Sequence, residues 1–122
     1  MQKLIKTYQD LIVWQRSMDL AVECYNMTAS FPKNELYGLV SQINRSCASI
    51  PANIAEGHGR GSRKEYVQFL WIAHGSLCEL ETHVLLSERV GLMEKGQAQR
   101  LLQSCMKMLR APIGQLAKTP HP

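Results

Sequence analysis

Apolar residues recur at three- and four-residue spacing along nearly the whole of this 122-residue chain, and this spacing most constrains its fold. Such spacing places the residues on one face of an α-helix, whereas a half-buried strand requires strict alternation. No segment of the sequence shows strand-like alternation. The pattern therefore predicts four helices, over residues 11–30, 34–58, 63–90 and 94–118.

Residues with known capping preferences indicate where these helices begin and end. Asp10 is the expected N-cap of the first helix, and Pro32 ends it because the residue before a proline disfavours the helical conformation. Ser62, followed three residues later by Glu65, predicts a capping box for the third helix. Gly91 suits the position just beyond the end of that helix.

The apolar stripes predict which face of each helix is buried. On the first helix the stripe is Leu11, Trp14, Met18, Ala21, Val22 and Tyr25. On the second it is Leu36, Leu39, Val40, Ile43, Cys47, Ile50 and Ile54. On the third it is Tyr66, Phe69, Leu70, Ala73, Leu77, Leu80 and Val84. On the fourth it is Ala98, Leu101, Leu102, Cys105, Leu109, Ile113 and Leu116.

Two prolines within these patterns, Pro51 and Pro112, should bend the second and fourth helices, because proline removes a backbone hydrogen bond. Long helices with short connections favour antiparallel neighbours. We therefore expect residues 1–122 to form a single all-α domain, an up-down-up-down antiparallel four-helix bundle.

Cysteine usage and hydropathy favour a cytoplasmic protein that does not span a membrane. The four cysteines form no C-x-x-C pair and fit no common zinc pattern, so we expect free thiols within helices. No run of about 18 apolar residues exists, and the first six residues lack the apolar region of a signal peptide. The apolar content of 45% with 20% charged residues is typical of a folded domain.

Basic residues of the fourth predicted helix share its polar face. Arg100 and Lys107 lie opposite the apolar stripe, with Arg110 to one side, and no acidic residue follows Glu94. A stripe of one sign could follow the phosphate backbone of RNA or DNA, or it could meet an acidic protein. A face that only contributes solubility remains an alternative, because the chain's net charge is a modest +4.

A second basic cluster lies around the Gly-rich segment 57–61. Arg60, Arg63 and Lys64 lie where a new helix begins, and glycine allows the backbone to approach a phosphate closely. The segment is not a Walker loop, because no G-x-x-x-x-G-K-[ST] pattern is present. The alternative is a simple helix stop, a tight turn and a capped restart.

Catalytic and cofactor sites are not predicted. His74, Cys78 and Glu81 are spaced to share one side of the third helix, but three ligands without a recognised motif do not predict a metal. No nucleophile elbow, H-E-x-x-H motif or paired carboxylates occur. We therefore expect a non-enzymatic protein without a cofactor.

Some apolar residues lie outside the central stripes. These are Ile12 and Val13 on the first helix, and Trp71 and Ile72 on the third. A helix with apolar groups beyond its core face usually meets a second surface. The residues therefore favour a subunit interface, with a broad core face as the alternative.

Four ordered blocks of the sequence resemble the family of 23S ribosomal RNA intervening-sequence proteins, which includes accessory proteins of diversity-generating retroelements. The blocks are DLIVWQ at residues 10–15, FPKNELYGL at 31–39, SIPANIAEGHGR at 49–60 and FLWIAHGS at 69–76. The resemblance spans residues 7–118. It implies homo-oligomeric four-helix bundles, with pentamers the expected form.

The resemblance also implies partners, because retroelement members act as basic scaffolds for a reverse transcriptase and nucleic acid. One departure is the segment Asn44-Arg45-Ser46, where many relatives look more basic. The resulting hypothesis is a homo-oligomeric scaffold that binds RNA or DNA through Arg60, Arg63, Lys64, Arg100, Lys107 and Arg110. The alternative is a protein-docking adaptor, for example for a reverse transcriptase, that does not contact nucleic acid.

Overall fold

The computed structural model describes residues 4–97, 99, 102–103, 106–107 and 109–110, and every regular element in this part of the chain is helical. Three α-helices lie wholly within the described residues: α1 (Ile12–Thr28), α2 (Ser41–Gly59) and α3 (Arg63–Arg89). A short 3-10 turn, Tyr8–Asp10, precedes α1. Helix α2 packs against both of the others and most extensively against α3.

The first helix begins differently from the prediction. Asp10 does not cap α1, because its carboxylate accepts hydrogen bonds from the backbone N–H groups of Lys6 (2.9 Å) and Thr7 (3.1 Å). It therefore belongs to a capping box around the preceding 3-10 turn. The N-cap of α1 is Leu11, whose side chain offers no capping hydrogen bond.

The second helix starts later than the predicted residue 34. The intervening chain forms a 3-10 turn, Lys33–Glu35, followed by a π turn, Leu36–Val40. Gly38 in the π turn has non-helical angles (φ −106°, ψ −111°), so the helical path is interrupted before Ser41. Pro51 lies buried inside α2, which continues past it to Gly59.

The ends of α3 follow the prediction closely. The Ser62 hydroxyl accepts a hydrogen bond from the Glu65 N–H at 3.2 Å, which caps the helix. At the other end Gly91 adopts a left-handed φ of 84°, and the N–H of Leu92 donates to the carbonyl of Ser87 at 2.9 Å. This is a Schellman ending, in which glycine avoids the steric cost of positive φ.

The core lies between the helices and largely matches the predicted stripes of the second and third helices, except that Leu36 is exposed. The fully buried apolar residues from α2 and α3 are Ile43, Cys47, Ile50, Ile54, Leu70, Ala73, Leu77, Leu80 and Val84. Of the predicted cysteines, Cys24, Cys47 and Cys78 are free thiols, as expected. Cys24 and Cys47 are buried, and a hydrogen bond with Cys24 lowers the pKa of Cys47.

The predicted core face of α1 is only partly right, since Leu11 and Trp14 pack half-buried against the core. The residues of α1 that are buried are Val13, Ser17, Leu20, Ala21, Cys24 and Thr28. Of the predicted stripe only Ala21 is buried, while Met18, Val22 and Tyr25 are exposed. This core face holds Leu20 among mostly smaller side chains, and α1 carries a second apolar face, with Met18, Val22 and Tyr25, that points away from the core.

The fourth predicted helix is described in part. Residues 99, 102–103, 106–107 and 109–110 are helical, and Leu102 and Leu109 are buried in the same core as the other helices. The predicted start at residue 94 is too early, because Gly96 has a positive φ of 81° within a turn. Arg100, Pro112 and the predicted end at residue 118 lie outside the described residues.

Candidate nucleic-acid interface and apolar groove

The turn between α2 and α3 depends on two glycines with different roles. Gly61 adopts a left-handed φ of 83° between the two helices, which only glycine adopts readily. Gly57 is buried inside α2, and a Cβ placed there would lie 2.4 Å from the Cβ of Phe69. The Gly-rich segment therefore serves a close approach between helices and a tight turn.

Arg60, the first predicted phosphate ligand in this turn, is engaged by acidic neighbours. Its guanidinium donates to Glu56 at 2.9 Å, lies 3.7 Å from Glu65 and sits over the ring of Phe69 at 5.1 Å. The hydrogen bond with Glu56 raises the pKa of Arg60 above its ordinary value. Most of its positive charge is therefore compensated within the chain.

The other two predicted bases of the turn differ in exposure. Lys64 is exposed, whereas Arg63 is half-buried at the start of α3 and has an interaction partner within the chain. The three bases of the turn and the two acids Glu56 and Glu65 together carry a net charge of only +1. The turn is a weaker candidate for phosphate than the sequence suggested.

The described residues of the C-terminal segment have the predicted two-sided character. The side chains of Gln103, Lys107 and Arg110 are exposed. Leu102 and Leu109 are fully buried on the other side. Two of the three bases predicted for this stripe are thus available to a partner, while Arg100 lies outside the described residues.

An apolar groove runs along the outer face of α1 and α2, and the sequence did not predict it. We call it the α1–α2 groove; its volume is about 530 Å³. Helix α1 lines it mainly with Trp14, Met18, Val22 and Tyr25. Helix α2 contributes small side chains, Ala48, Ala52 and Ala55, on either side of the buried Pro51. The bulky residues that the periodicity assigned to the core therefore form the wall of an outward-facing site.

The four predicted interface residues divide between surface and core. Ile12, Trp71 and Ile72 are exposed by 61%, 55% and 51% of their surface, which leaves large apolar groups in contact with water. Val13 is exposed by only 8% and belongs to the core of α1. The interface prediction is wrong for Val13, because Val13 lies on the buried face with which α1 packs against α2.

The residues considered for a metal do not converge. The Cys78 sulfur lies 3.9 Å from Nδ1 of His74, and no set of three potential ligands comes together in the described part of the chain. A separate polar cluster connects α2 to α3: Arg45 pairs with Glu79, which lies 3.6 Å from His83. The Ser49 and Ser76 hydroxyls add a hydrogen bond of 2.8 Å between the same helices.

A protein-family model and a solved structure are both similar to this chain. The sequence model of the 23S rRNA-intervening sequence protein family matches residues 9–113. The chain belongs to this family. A crystal structure of a protein of unknown function from the S23 ribosomal protein family of Bacteroides thetaiotaomicron VPI-5482 is also similar. It shares 25% sequence identity with a TM-score of 0.72, covering 88% of this chain and all of the other. The curated proteins contain no match.

The sequence blocks typical of the family have structural roles in this member. In the block at residues 49–60, the Asn53 amide donates to the carbonyl and hydroxyl of Ser49, and Gly57 admits Phe69 from the following helix. The Glu56–Arg60 ion pair closes the block at the end of α2. The block thus forms the joint between α2 and α3.

The departure at residues 44–46 also has a structural reading. Asn44 accepts a hydrogen bond from the Thr28 hydroxyl at 3.1 Å, Arg45 pairs with Glu79, and Ser46 is fully buried. This segment therefore joins helices and offers no excess positive charge.

None of the described helices is long and apolar enough to cross a lipid bilayer.

Proposed function

We propose that this protein is a non-enzymatic, cytoplasmic, homo-oligomeric scaffold with the up-down-up-down four-helix-bundle topology, and that it binds RNA or DNA through the phosphate backbone. The observation that carries this proposal is the location of its charge. Residues 1–94 contain nine bases and ten acids, for a net charge of −1, whereas residues 95–122 contain five bases and no acid, for +5.

The exposed positions of this segment support a backbone interaction. Lys107 and Arg110 are exposed whereas Leu102 and Leu109 are buried, so the two positive charges meet solvent. No Phe, Tyr or Trp follows Trp71, so the segment lacks the large aromatic side chains on which bases usually stack. The binding we propose is therefore sequence-tolerant and weakens steeply with salt.

Assembly strengthens the electrostatic argument. A chain of net charge +4 gives a pentamer a charge of +20, and a ring repeats the basic segment around its circumference. The exposed Ile12, Trp71 and Ile72 support an oligomer, because large apolar groups are costly to leave in water. The pentamer is the state that the family resemblance favours.

A binding titration against salt tests the nucleic-acid proposal. We expect the double variant Lys107→Glu with Arg110→Glu to weaken binding to single-stranded RNA at least about tenfold at 0.1 M salt, and to lower the salt slope by roughly 1 to 2. The matched control is Lys6→Glu with Lys33→Glu, two exposed lysines whose replacement lowers the net charge by the same amount. Equal losses in both variants, or no binding at low salt, would contradict the proposal.

Two further measurements test the rest of the proposal. Light scattering of nuclease-treated protein at micromolar concentration should give a multiple of the 13.8 kDa chain mass, five for a pentamer. A particle of 13.8 kDa would refute the oligomer. Incubation with labelled RNA and Mg²⁺ should give no cleavage beyond that of a mock preparation.

A second candidate is a protein-docking adaptor, because the same acid-free segment suits an acidic protein surface, such as that of a reverse transcriptase. Affinity capture with the purified protein distinguishes the two functions. A partner that remains bound after nuclease treatment, and is lost in the Lys107→Glu with Arg110→Glu variant, would favour the adaptor.

A further inference from the structure

A pocket of about 360 Å³ lies beside the connection between α1 and α2. The buried Phe31 anchors this connection, and the 3-10 and π turns that follow it delay the start of α2 to Ser41. Leu36 belongs to the π turn and lies on the pocket wall, 52% exposed, although its spacing assigned it to the core. We call this cavity the loop pocket. The residues that matter for its chemistry are Tyr25, Phe31, Lys33, Leu36, Val40 and Asn44.

The loop pocket has the composition of a binding site for a flat, mostly apolar group. Tyr25 and Phe31 bring aromatic rings to its wall, and Leu36 and Val40 bring aliphatic side chains. Tyr25 is 52% exposed, so a ligand can cover its ring without displacing the core. Ligand pockets typically enclose about 300 to 1,000 Å³ and combine such walls with a few polar groups. The loop pocket lies within that range.

The carboxamide of Asn44 supplies a polar group at the pocket. Its oxygen accepts a hydrogen bond from the Thr28 hydroxyl at 3.1 Å, which restrains the orientation of the amide. Its amide nitrogen donates to no residue in the described part of the chain, so N–H donors remain for a ligand. An aliphatic side chain of a protein partner would cover these donors without accepting from them, which is costly. The pocket therefore favours a ligand that carries acceptor atoms.

Charge favours a ligand that is attached to an anion. Lys33 lines the pocket and belongs to none of the ion pairs formed among the described residues, whereas Arg45 and Arg60 are both paired. No acid is among the described residues that line the pocket. Glu35, the acid of the same loop, has its carboxylate beside Gly38. The pocket thus combines an uncompensated positive charge with aromatic and hydrogen-bonding groups.

A nucleobase meets all of these requirements. It has a flat face that packs on aromatic rings, acceptor atoms along its edges and a phosphate attached through the sugar. We infer that the loop pocket binds one unpaired base of a bound RNA or DNA strand. The inference rests on the proposed nucleic-acid binding and supplies the stacking aromatic that the C-terminal segment lacks. Every base has a flat face and acceptor atoms, so this contact tolerates different sequences.

An abasic chain separates this base contact from the backbone contact. The two probes are a single-stranded DNA of about 12 thymidine nucleotides and a sugar–phosphate chain of the same length without bases. Both probes carry the same phosphates, so the C-terminal segment should bind them alike and give both the same salt slope. We expect the wild type to bind the thymidine chain at least about fivefold more tightly, because loss of one base–aromatic contact typically weakens binding by that factor or more.

The variants remove the aromatic ring or keep it. Tyr25→Leu removes the flat face but leaves an apolar side chain, and it should abolish the preference for the thymidine chain. Tyr25→Phe keeps the ring and should keep the preference. Tyr37→Leu is the matched control, because Tyr37 is 92% exposed and is not among the residues that line the pocket. Tyr25 also lines the α1–α2 groove, so light scattering and thermal melting check that assembly and stability are unchanged.

Crosslinking supplies a readout that does not depend on a variant. A strand containing bromouracil, irradiated in complex with the wild type, should crosslink to peptides that carry Tyr25 or Phe31. Crosslinks confined to the segment after residue 94 would contradict the inference. The control variant Lys6→Glu with Lys33→Glu alters the rim of the pocket, so its affinity is also measured on the abasic chain, where no base enters the pocket.

The affinities of the two probes decide the inference. Equal affinity of the wild type for both chains would exclude the base contact and leave the proposed backbone binding standing. A preference for the thymidine chain that survives in Tyr25→Leu would place the base contact elsewhere on the protein. Failure of the wild type to bind either chain at low salt would remove the proposed nucleic-acid binding itself, and this inference with it.

Discussion

The first 94 residues and the last 28 use their basic side chains in different ways. In the first region, Arg45 pairs with Glu79, and Arg60 pairs with Glu56 and Glu65. In the last region no acid is present, and Lys107 and Arg110 face solvent beside a buried leucine row. The chain's net charge of +4 is therefore the difference between a nearly neutral helical framework and one strongly basic segment.

The comparison separates the contribution of charged side chains to stability from their contribution to binding. Ion pairs between exposed groups contribute little to stability, so the framework depends mainly on its buried apolar side chains. The bases of the last region contribute to stability even less, and their value lies in what they can bind. Substitutions in the two regions should therefore affect different measurements.

The largest expected effect concerns whether the last region shares the core of the first. Leu77 on α3 and Leu109 in the C-terminal segment are both fully buried. Replacing either with alanine should lower the free energy of unfolding by about 2 to 5 kcal/mol, because a cavity replaces the side chain. Denaturant unfolding measures this, with the exposed Leu36→Ala as control. A Leu109→Ala variant as stable as the control would show that the basic segment is held by something other than this core.

The next effect concerns the joint between α2 and α3. Gly57→Ala would place a Cβ 2.4 Å from the Cβ of Phe69, a backbone-adjacent atom that cannot move alone. We expect a loss of about 1 to 3 kcal/mol from this overpacking. A Cβ placed at Gly59 would have no neighbour within 4 Å, so Gly59→Ala should be neutral or stabilise the helix by up to about 1 kcal/mol. Thermal melts of the two variants should move apart, and equal melting temperatures would refute the close-approach explanation.

A smaller effect distinguishes paired from unpaired arginines. Arg45→Gln removes the ion pair with Glu79 and should lower the free energy of unfolding by no more than about 1 kcal/mol, because both side chains are partly exposed. This loss should shrink at high salt. Arg110→Gln should leave stability unchanged and weaken RNA binding severalfold. If Arg110→Gln destabilises the protein as much as Arg45→Gln does, the two regions do not differ as we describe.

The smallest effect is a pH dependence within the framework. Burial raises the pKa of Tyr66 above its ordinary value, because the phenolate is poorly solvated there. A raised folded-state pKa means that the unfolded chain releases the proton first, so stability is fully present below the ordinary value near pH 10 and falls as the pH rises through the folded-state value. Unfolding titrations should show a shallower alkaline decline for Tyr66→Phe than for the wild type. Identical declines would contradict this account.

Much of the framework could be predicted because local chemistry specifies it. On α3 the spacing of Leu70, Leu77 and Leu80, the Ser62 cap and the glycine ending all emerged as expected. Each of these signals needs only a few neighbouring residues. The late start of α2 was missed, because a π turn and the unusual angles at Gly38 interrupt an apolar pattern that looks continuous in the sequence.

The candidate sites were harder to predict, because they depend on neighbours that are distant in the sequence. Arg60 was predicted to bind phosphate, but the fold brings Glu65 close to its guanidinium in addition to Glu56. On α1, periodicity assigned the larger side chains to the core, as the hydrophobic effect alone would. The core instead takes Ser17, Leu20 and Cys24, which leaves Met18 and Val22 outside.

The sequence by itself determined the helical class, the family, the ends of α3 and the concentration of positive charge after residue 94. These properties follow from periodicity, capping and composition, which act over a few residues or simply add along the chain. The tertiary structure alone decided which face of α1 is buried, which arginines are compensated and where an apolar groove remains open. Those outcomes depend on how closely two helices approach each other, and that distance is set by side chains on both helices at once.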